Sequence, residues 1–148
     1  MTDTLSPTLL QWNQIVMRHA MKRMIFYAKQ NNYSMEMLNV MMRLHYRGAC
    51  GVGDLGGEMG VSSAAVSQLL EKLVQQGLAL RIEDPQDRRN KRISLTEQGA
   101  DVVQKAIEAR QAWMAPLVAE LAPEQQEEIR LALSLLIEKS SILDQPQG

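Results

Sequence analysis

The chain has 148 residues, 45% hydrophobic and 22% charged, which suits a single soluble globular domain with a real core. Sixteen Lys/Arg against 17 Asp/Glu leave a net charge of −1, no run approaches the roughly 20 apolar residues of a membrane span, and the start MTDTLSPTLL lacks the basic and apolar regions of a secretory leader. A cytoplasmic protein without a membrane partner is expected, and the lone Cys50, unable to close a disulfide within the chain, fits a reducing compartment.

From Thr8 to about Asn31, Leu9, Trp12, Ile15, Val16, Ala20, Met24 and Tyr27 recur at three-and-four spacing, which predicts a long amphipathic helix. Ser34 is placed to cap a second helix, Met35 to Arg47, with Met37, Leu38, Met41 and Leu44 inward, before Gly48, Gly51 and Gly53 interrupt it. Asp54 to Met59 predicts a short helix anchored by Leu55, although Gly56 and Gly57 each cost about 1 kcal/mol relative to alanine. Gly60 and Val61 make a turn, Ser62 caps a helix running to Gln76 on a Val66, Leu69, Leu70, Leu73 stripe, and Gly77 supplies the left-handed residue that stops it. Two helices joined by so short a turn form a helix-turn-helix pattern.

Leu78 to Glu83 and Arg92 to Leu95 alternate as short strands, with Ile93 and Leu95 on one face, Arg92 and Ser94 on the other, and DPQD suited to the turn. Four cationic side chains, Arg88, Arg89, Lys91 and Arg92, crowd five positions at the hairpin tip. Thr96 then caps a helix carrying Val102, Val103, Ala106, Ile107, Trp113, Met114 and Leu117, which Pro116 is expected to kink or end. Pro123 fits the first turn of a final helix with two apolar stripes, Ile129, Ala132, Leu133, Leu136 and Ile137 on one and Leu131, Leu135 and Ile142 on the other. Two apolar faces need two partners. A homodimer of the first and last helices is therefore expected, with Leu9, Trp12, Val16, Ile129, Leu133, Leu136 and Ile137 at its interface.

The small net charge hides an uneven distribution: six Lys/Arg and two Asp/Glu in 1–51, six and six in 52–95, four and nine in 96–148. Acid is concentrated in the last third, away from the basic hairpin. A cationic tip beside a helix-turn-helix is the arrangement of a winged DNA reader. Opposite its apolar stripe the Ser62 helix carries Ala64, Gln68, Glu71 and Gln75, with Ser63 and Ser67 on the flank. Small residues permit close approach in a major groove, where Ser62, Ser63 and Ser67 can reach phosphates or base edges, Gln68 can pair with adenine, and Ala64 or Ala65 can touch a thymine methyl. The same face would equally serve as the solvated side of a core helix. Lys72 is its one cation and Glu71 opposes phosphates, so affinity must come from the wing. There Arg88 and Arg89 suit minor-groove insertion, while Asn90, Lys91 and Arg92 steady the backbone. Asp87 can pair with an arginine across the turn and so position Arg89.

The order of elements and the run DLGGEMGVSSAAVSQLLEKLVQQGLALRIEDPQDRRNKRISLTEQG resemble the MarR family of bacterial winged helix-turn-helix transcriptional regulators. The most specific residues are Asp87 and Arg89 (D-x-R), then Leu95, Thr96 and Gly99 (L-T-x-x-G), preceded by Leu73, Gly77, Leu78 and Arg81. The resemblance spans nearly the whole chain. It implies a mainly α fold with a small β-wing: one domain, 1–148, in which 34–99 form the DNA-binding lobe and 1–33 and 100–148 the dimerisation helices. It also implies a homodimer of triangular outline, a repressor or less often an activator, on a pseudo-palindrome of double-stranded DNA. The glycine-rich third helix departs from the family pattern, which bears on how rigidly the helix-turn-helix is held without DNA.

Family members often bind a small aromatic or lipophilic effector between the dimer helices and the winged lobe. In this chain such a crevice would draw on Trp12, Arg18, His19, Lys22, Tyr46 and Trp113, although Arg18 and Lys22 also read, with Lys29, as a solvated basic stripe. Ten methionines, five of them from Met35 to Met59, suit an adaptable pocket or simply the core. Redox response through Cys50 is an alternative. Against it, only Arg47 is near enough in sequence to lower the thiol pKa, no second cysteine can resolve a sulfenic acid, and the family's oxidation sensors carry theirs near the N-terminus. His19, His45 and Cys50 match no metal spacing, and no hydrolase elbow, phosphate loop or zinc-protease motif occurs, so neither cofactor nor catalysis is expected. A winged-helix module that grips a protein through the same surface is the other alternative, and steep salt dependence would separate DNA from it.

Overall fold

The computed structural model describes residues 3–143 apart from Arg88 and Asn90. Its elements, in chain order, are α1 (Leu5–Gln30), α2 (Met35–Arg47), β1 (Cys50–Gly51), α3 (Val52–Met59), α4 (Ser63–Gln75), β2 (Ala79–Glu83), β3 (Lys91–Leu95), α5 (Glu97–Gln111), α6 (Met114–Ala119) and α7 (Pro123–Ser140). The chain divides after Gln111 into two compact units. No helix among the described residues is long and apolar enough to cross a membrane.

In the first unit the expected helices form, with shifted ends. α1 begins at Leu5 rather than Thr8: Pro7 lies in the first turn, where no N–H is required, and the Asp3 carboxylate accepts the Leu5 and Ser6 N–H groups, both at 3.1 Å. Hydrogen bonding from the Ser6 side chain first, then from its N–H and that of Leu5, holds the Asp3 carboxyl below its usual range. Ser34 caps α2 as expected, its Oγ accepting the Met37 N–H at 3.1 Å. The Tyr27 hydroxyl donates to the Val102 carbonyl at 3.1 Å and ties α1 to α5. Leu38, Val40 and Met41 meet Leu55, Val66, Leu70, Leu73, Ile93 and Val103 in one core. The five methionines from Met35 to Met59 lie in or against that core.

The sheet is antiparallel in the order β1-β3-β2. β3 is its centre: Ile93, fully buried, pairs with Cys50 on one side and Arg81 on the other. The strand β1 was not expected, since two residues carry no alternation. Its presence moves the start of α3 forward to Val52, against the expected Asp54.

The junction between the sheet and α5 accounts for the L-T-x-x-G signature. Gly77 (φ +72°) ends α4: Gly77 N–H donates to Val74 and Leu78 N–H to Leu73, at 3.0 and 2.8 Å, the paired bonds that close a helix on a left-handed residue. Thr96 then fastens this turn to α5. Its hydroxyl donates to the Gly77 carbonyl at 2.6 Å and accepts the Gly99 N–H at 3.0 Å, while its N–H donates to the Leu78 carbonyl at 3.1 Å. Gly99 packs so tightly that a Cβ there would lie 2.0 Å from that same carbonyl oxygen.

In the second unit the break falls before Met114, so Pro116 neither kinks nor ends a helix. It occupies the first turn of α6, where its missing N–H is harmless. Pro123 opens α7 as expected, with Gln125 Oε1 accepting the Ala122 N–H at 2.9 Å. No residue of α7 is buried.

Candidate nucleic-acid interface

α4 presents the two faces its spacing predicts. Val66, Leu70 and Leu73 are buried, whereas Ser62, Ser63, Ala64, Ser67, Gln68 and Lys72 are exposed along the opposite side. The Ser62 hydroxyl oxygen accepts the Ala65 N–H at 3.2 Å and fixes the helix start. Glu71 is not a bare charge on this face. Arg81 of β2 donates to it through Nη2 at 2.6 Å, so the wing neutralises the carboxylate that would oppose phosphates. Both groups are about half exposed, and such a pair is worth at most about 1 kcal/mol to the fold. Sequence reasoning missed this partner, since nothing local links residues ten apart.

The wing loop is built on two aspartate turns. Asp84 Oδ1 accepts the Gln86 N–H and Asp87 Oδ1 the Arg89 N–H, each at 3.0 Å. Asp87 thus positions Arg89 through the backbone amide. Arg88 and Asn90 lie outside the described residues. Arg89, Lys91 and Arg92 are exposed, but Arg92 is committed: its Nη2 donates to the Ala49 carbonyl at 2.5 Å and moors β3 to the end of α2. Behind the helix-turn-helix, Glu58 of α3 pairs with both Arg43 and Arg47 of α2. That clamp supports a helix weakened by Gly53, Gly56 and Gly57, and it too left no sequence signal.

Of the six residues of the expected effector crevice, Trp12, Arg18, His19 and Lys22 lie on α1, Tyr46 lies on α2, and Trp113, which is buried, lies in the second unit. Tyr46 is 65% exposed, its ring set edge-on to His45. None of them lines either of two clefts formed around Cys50 and Asp54. Of the dimerisation residues Leu9, Val16 and Leu136 are half-buried, and Trp12, Ile129, Leu133 and Ile137 exposed. Burial, then the Asp54 carboxylate, push the Cys50 thiol up despite Arg47 and Arg92, so little of it is the nucleophilic thiolate near neutrality. Among the described residues no group of three His, Cys, Asp or Glu is placed to hold a metal ion.

Comparison with known proteins agrees with this geometry. Residues 34–91 match the model of the MarR family. An HTH-type transcriptional regulator of Mycobacterium leprae is 28% identical over 123 residues, covering 83% of this chain and 85% of its own, and one of Mycobacterium bovis is 27% identical over 116, covering 78% and 81%. Among solved structures, transcriptional regulator Tm0710 of Thermotoga maritima superposes with a TM-score of 0.85 at 21% identity, over 99% of this chain and all of that one. A MepR mutant of S. aureus bound to an oligodeoxyribonucleotide gives 0.65 at 22%, over 93% and 99%. At these identities the structural likeness is one of fold, a winged helix-turn-helix.

Proposed function

We propose that the chain, whose residues 34–91 match the model of the MarR family, is a transcriptional regulator of that family and a homodimeric repressor of a pseudo-palindromic site in double-stranded DNA. The observation that carries the reading is the exposed polar side of α4, capped by Ser62 and flanked by a wing whose Arg89 is set by Asp87. In this reading residues 34–99 form the DNA lobe, and 1–33 and 100–148 join two copies. α4 lies in the major groove with Ser62, Ser63, Ala64, Ser67 and Gln68 toward the bases, and Lys72 toward the backbone. Arg89 enters the adjacent minor groove while Lys91 holds phosphate. Selection of bound sequences from a random DNA pool tests it: a half-site repeated about one helical turn apart is expected. Recovery of no preferred sequence would refute it.

Two variants probe the assignment. Arg89→Ala is expected to weaken binding to all sequences alike and to lower the salt slope of log K by about one, read from affinities across a salt series. An unchanged slope would remove Arg89 from the interface. Arg81→Ala is expected to weaken DNA binding about fivefold by exposing Glu71 to phosphates, and Glu71→Gln added to it should restore the affinity. If the double variant binds no better than Arg81→Ala, charge masking is the wrong account.

A further inference from the structure

Little in α3 itself holds it helical. Its eight residues include three glycines, Gly53, Gly56 and Gly57, each about fivefold less favourable to a helix than alanine, and so short a helix does not persist in water on propensity alone. Its N-cap is Gly51, with no side-chain bond to the first turn, whereas the Ser34 and Ser62 hydroxyls cap α2 and α4. Leu55 is its one buried side chain, with Val52 and Met59 only partly covered, against five buried side chains in α2 and three in α4. What α3 lacks is supplied by α2. The Glu58 carboxylate pairs with Arg43 at 3.1 Å and with Arg47, and Arg43 Nη2 also donates to the Glu58 carbonyl at 3.5 Å, one of the last-turn carbonyls that a helix leaves unpaired. Both arginines are partly exposed, so salt screens this clamp.

The seat of α3 in turn sets the start of α4. The Gly56 carbonyl accepts the N–H of Gly60 (φ +63°) and that of Val61, the latter at 3.3 Å, and Ser62, the α4 cap, follows at once. A loosened α3 therefore frees the turn from which Ser62, Ser63 and Ala64 are presented. We propose that α3 is seated in only about one free molecule in three, that Glu58 is the positioning residue that sustains this share, and that DNA binding completes the seating. Apparent affinity is then the intrinsic affinity scaled by the seated share. That coupling rests on the DNA-binding reading; partial seating of α3 in the free protein does not.

Deuterium uptake of the free full chain, followed by mass spectrometry of its peptides, tests the first step. The amides of Val52–Met59 are expected to exchange within about tenfold of an unstructured chain, and those of Leu38–Leu44 and Val66–Leu73 at least about a hundredfold more slowly. An α3 as protected as α2 would overturn the proposal. Gly53→Ala with Gly57→Ala adds two methyl groups that meet nothing within 4 Å, at residues not assigned to DNA. That variant should slow uptake in α3 and bind a duplex recovered from the random-pool selection about threefold more tightly than the parent. Glu58→Gln should speed uptake in α3 and weaken the same binding about fourfold, and adding the two alanines should restore both. A loss of affinity that the alanines do not rescue would remove Glu58 as the positioning residue. Slower uptake without tighter binding would keep the partial seating and remove its coupling to DNA. Rapid uptake in α3 of a protein for which the selection recovers no duplex would remove the DNA reading and leave the seating.

Discussion

Gly99→Ala is expected to destabilise the winged lobe by about 3 kcal/mol or more, a large share of the roughly 5–15 kcal/mol that holds a domain together. The added methyl would sit 2.0 Å from the Leu78 carbonyl oxygen and 2.9 Å from its carbon, and these are backbone atoms with no rotamer to change. Relief would require α5 to withdraw from the α4–β2 turn. The bonds from Thr96 to Gly77 and Leu78 oppose that movement. A thermal melt followed by circular dichroism should show a fall of about 10 °C. Gly57→Ala is the contrasting control: its Cβ would meet nothing within 4 Å, so the gain in helix propensity of about 0.5–1 kcal/mol should raise the melting temperature slightly. A Gly99→Ala protein that melts with the parent would show that the contact is not made in solution.

The second large effect is expected at the last helix. Along α7, Ile129 is 43% exposed, Leu133 41% and Ile137 70%, while Leu131 and Leu135 on the other stripe exceed 50%. A continuous apolar helix face left in water marks an association surface, and burying it in the proposed dimer recovers about 25 cal/mol per Å². Leu133→Glu with Ile137→Glu would place two unpaired carboxylates in that surface, each costing several kcal/mol. Sedimentation should show a monomer. Affinity for a two-half-site operator should fall about a hundredfold or more, since the second lobe is no longer delivered by the first. A double variant that still sediments as a dimer would place the interface elsewhere.

Local rules made much of the winged lobe legible. Ser34, Ser62, Thr96 and Gly77 act through atoms two to four residues away, so their capping roles could be read directly, as could the stripe of Val66, Leu70 and Leu73. The misplaced boundaries have separate causes: α3 starts early because β1 precedes it, and Pro116 reads as a breaker yet lies in a first turn, where a proline is tolerated and which only the fold defines. The pairs that tune the candidate site were illegible because they join distant residues: Arg81 to Glu71, Arg92 to Ala49, and Glu58 to Arg43 and Arg47. Neither periodicity nor composition distinguishes a masked carboxylate from a bare one. Glu71 therefore opposes phosphate less than its place on α4 implies, and Arg92 is already moored.

The Thr96 fastening has a mechanical consequence. Three hydrogen bonds and a backbone contact without clearance meet where the hairpin departs and α5 begins, so the root of the wing has no slack to bend. Tilting α5 must carry β2 and β3 with it. Jointed in this way, the hairpin is expected to follow α5 as a fixed finger rather than flex at its base.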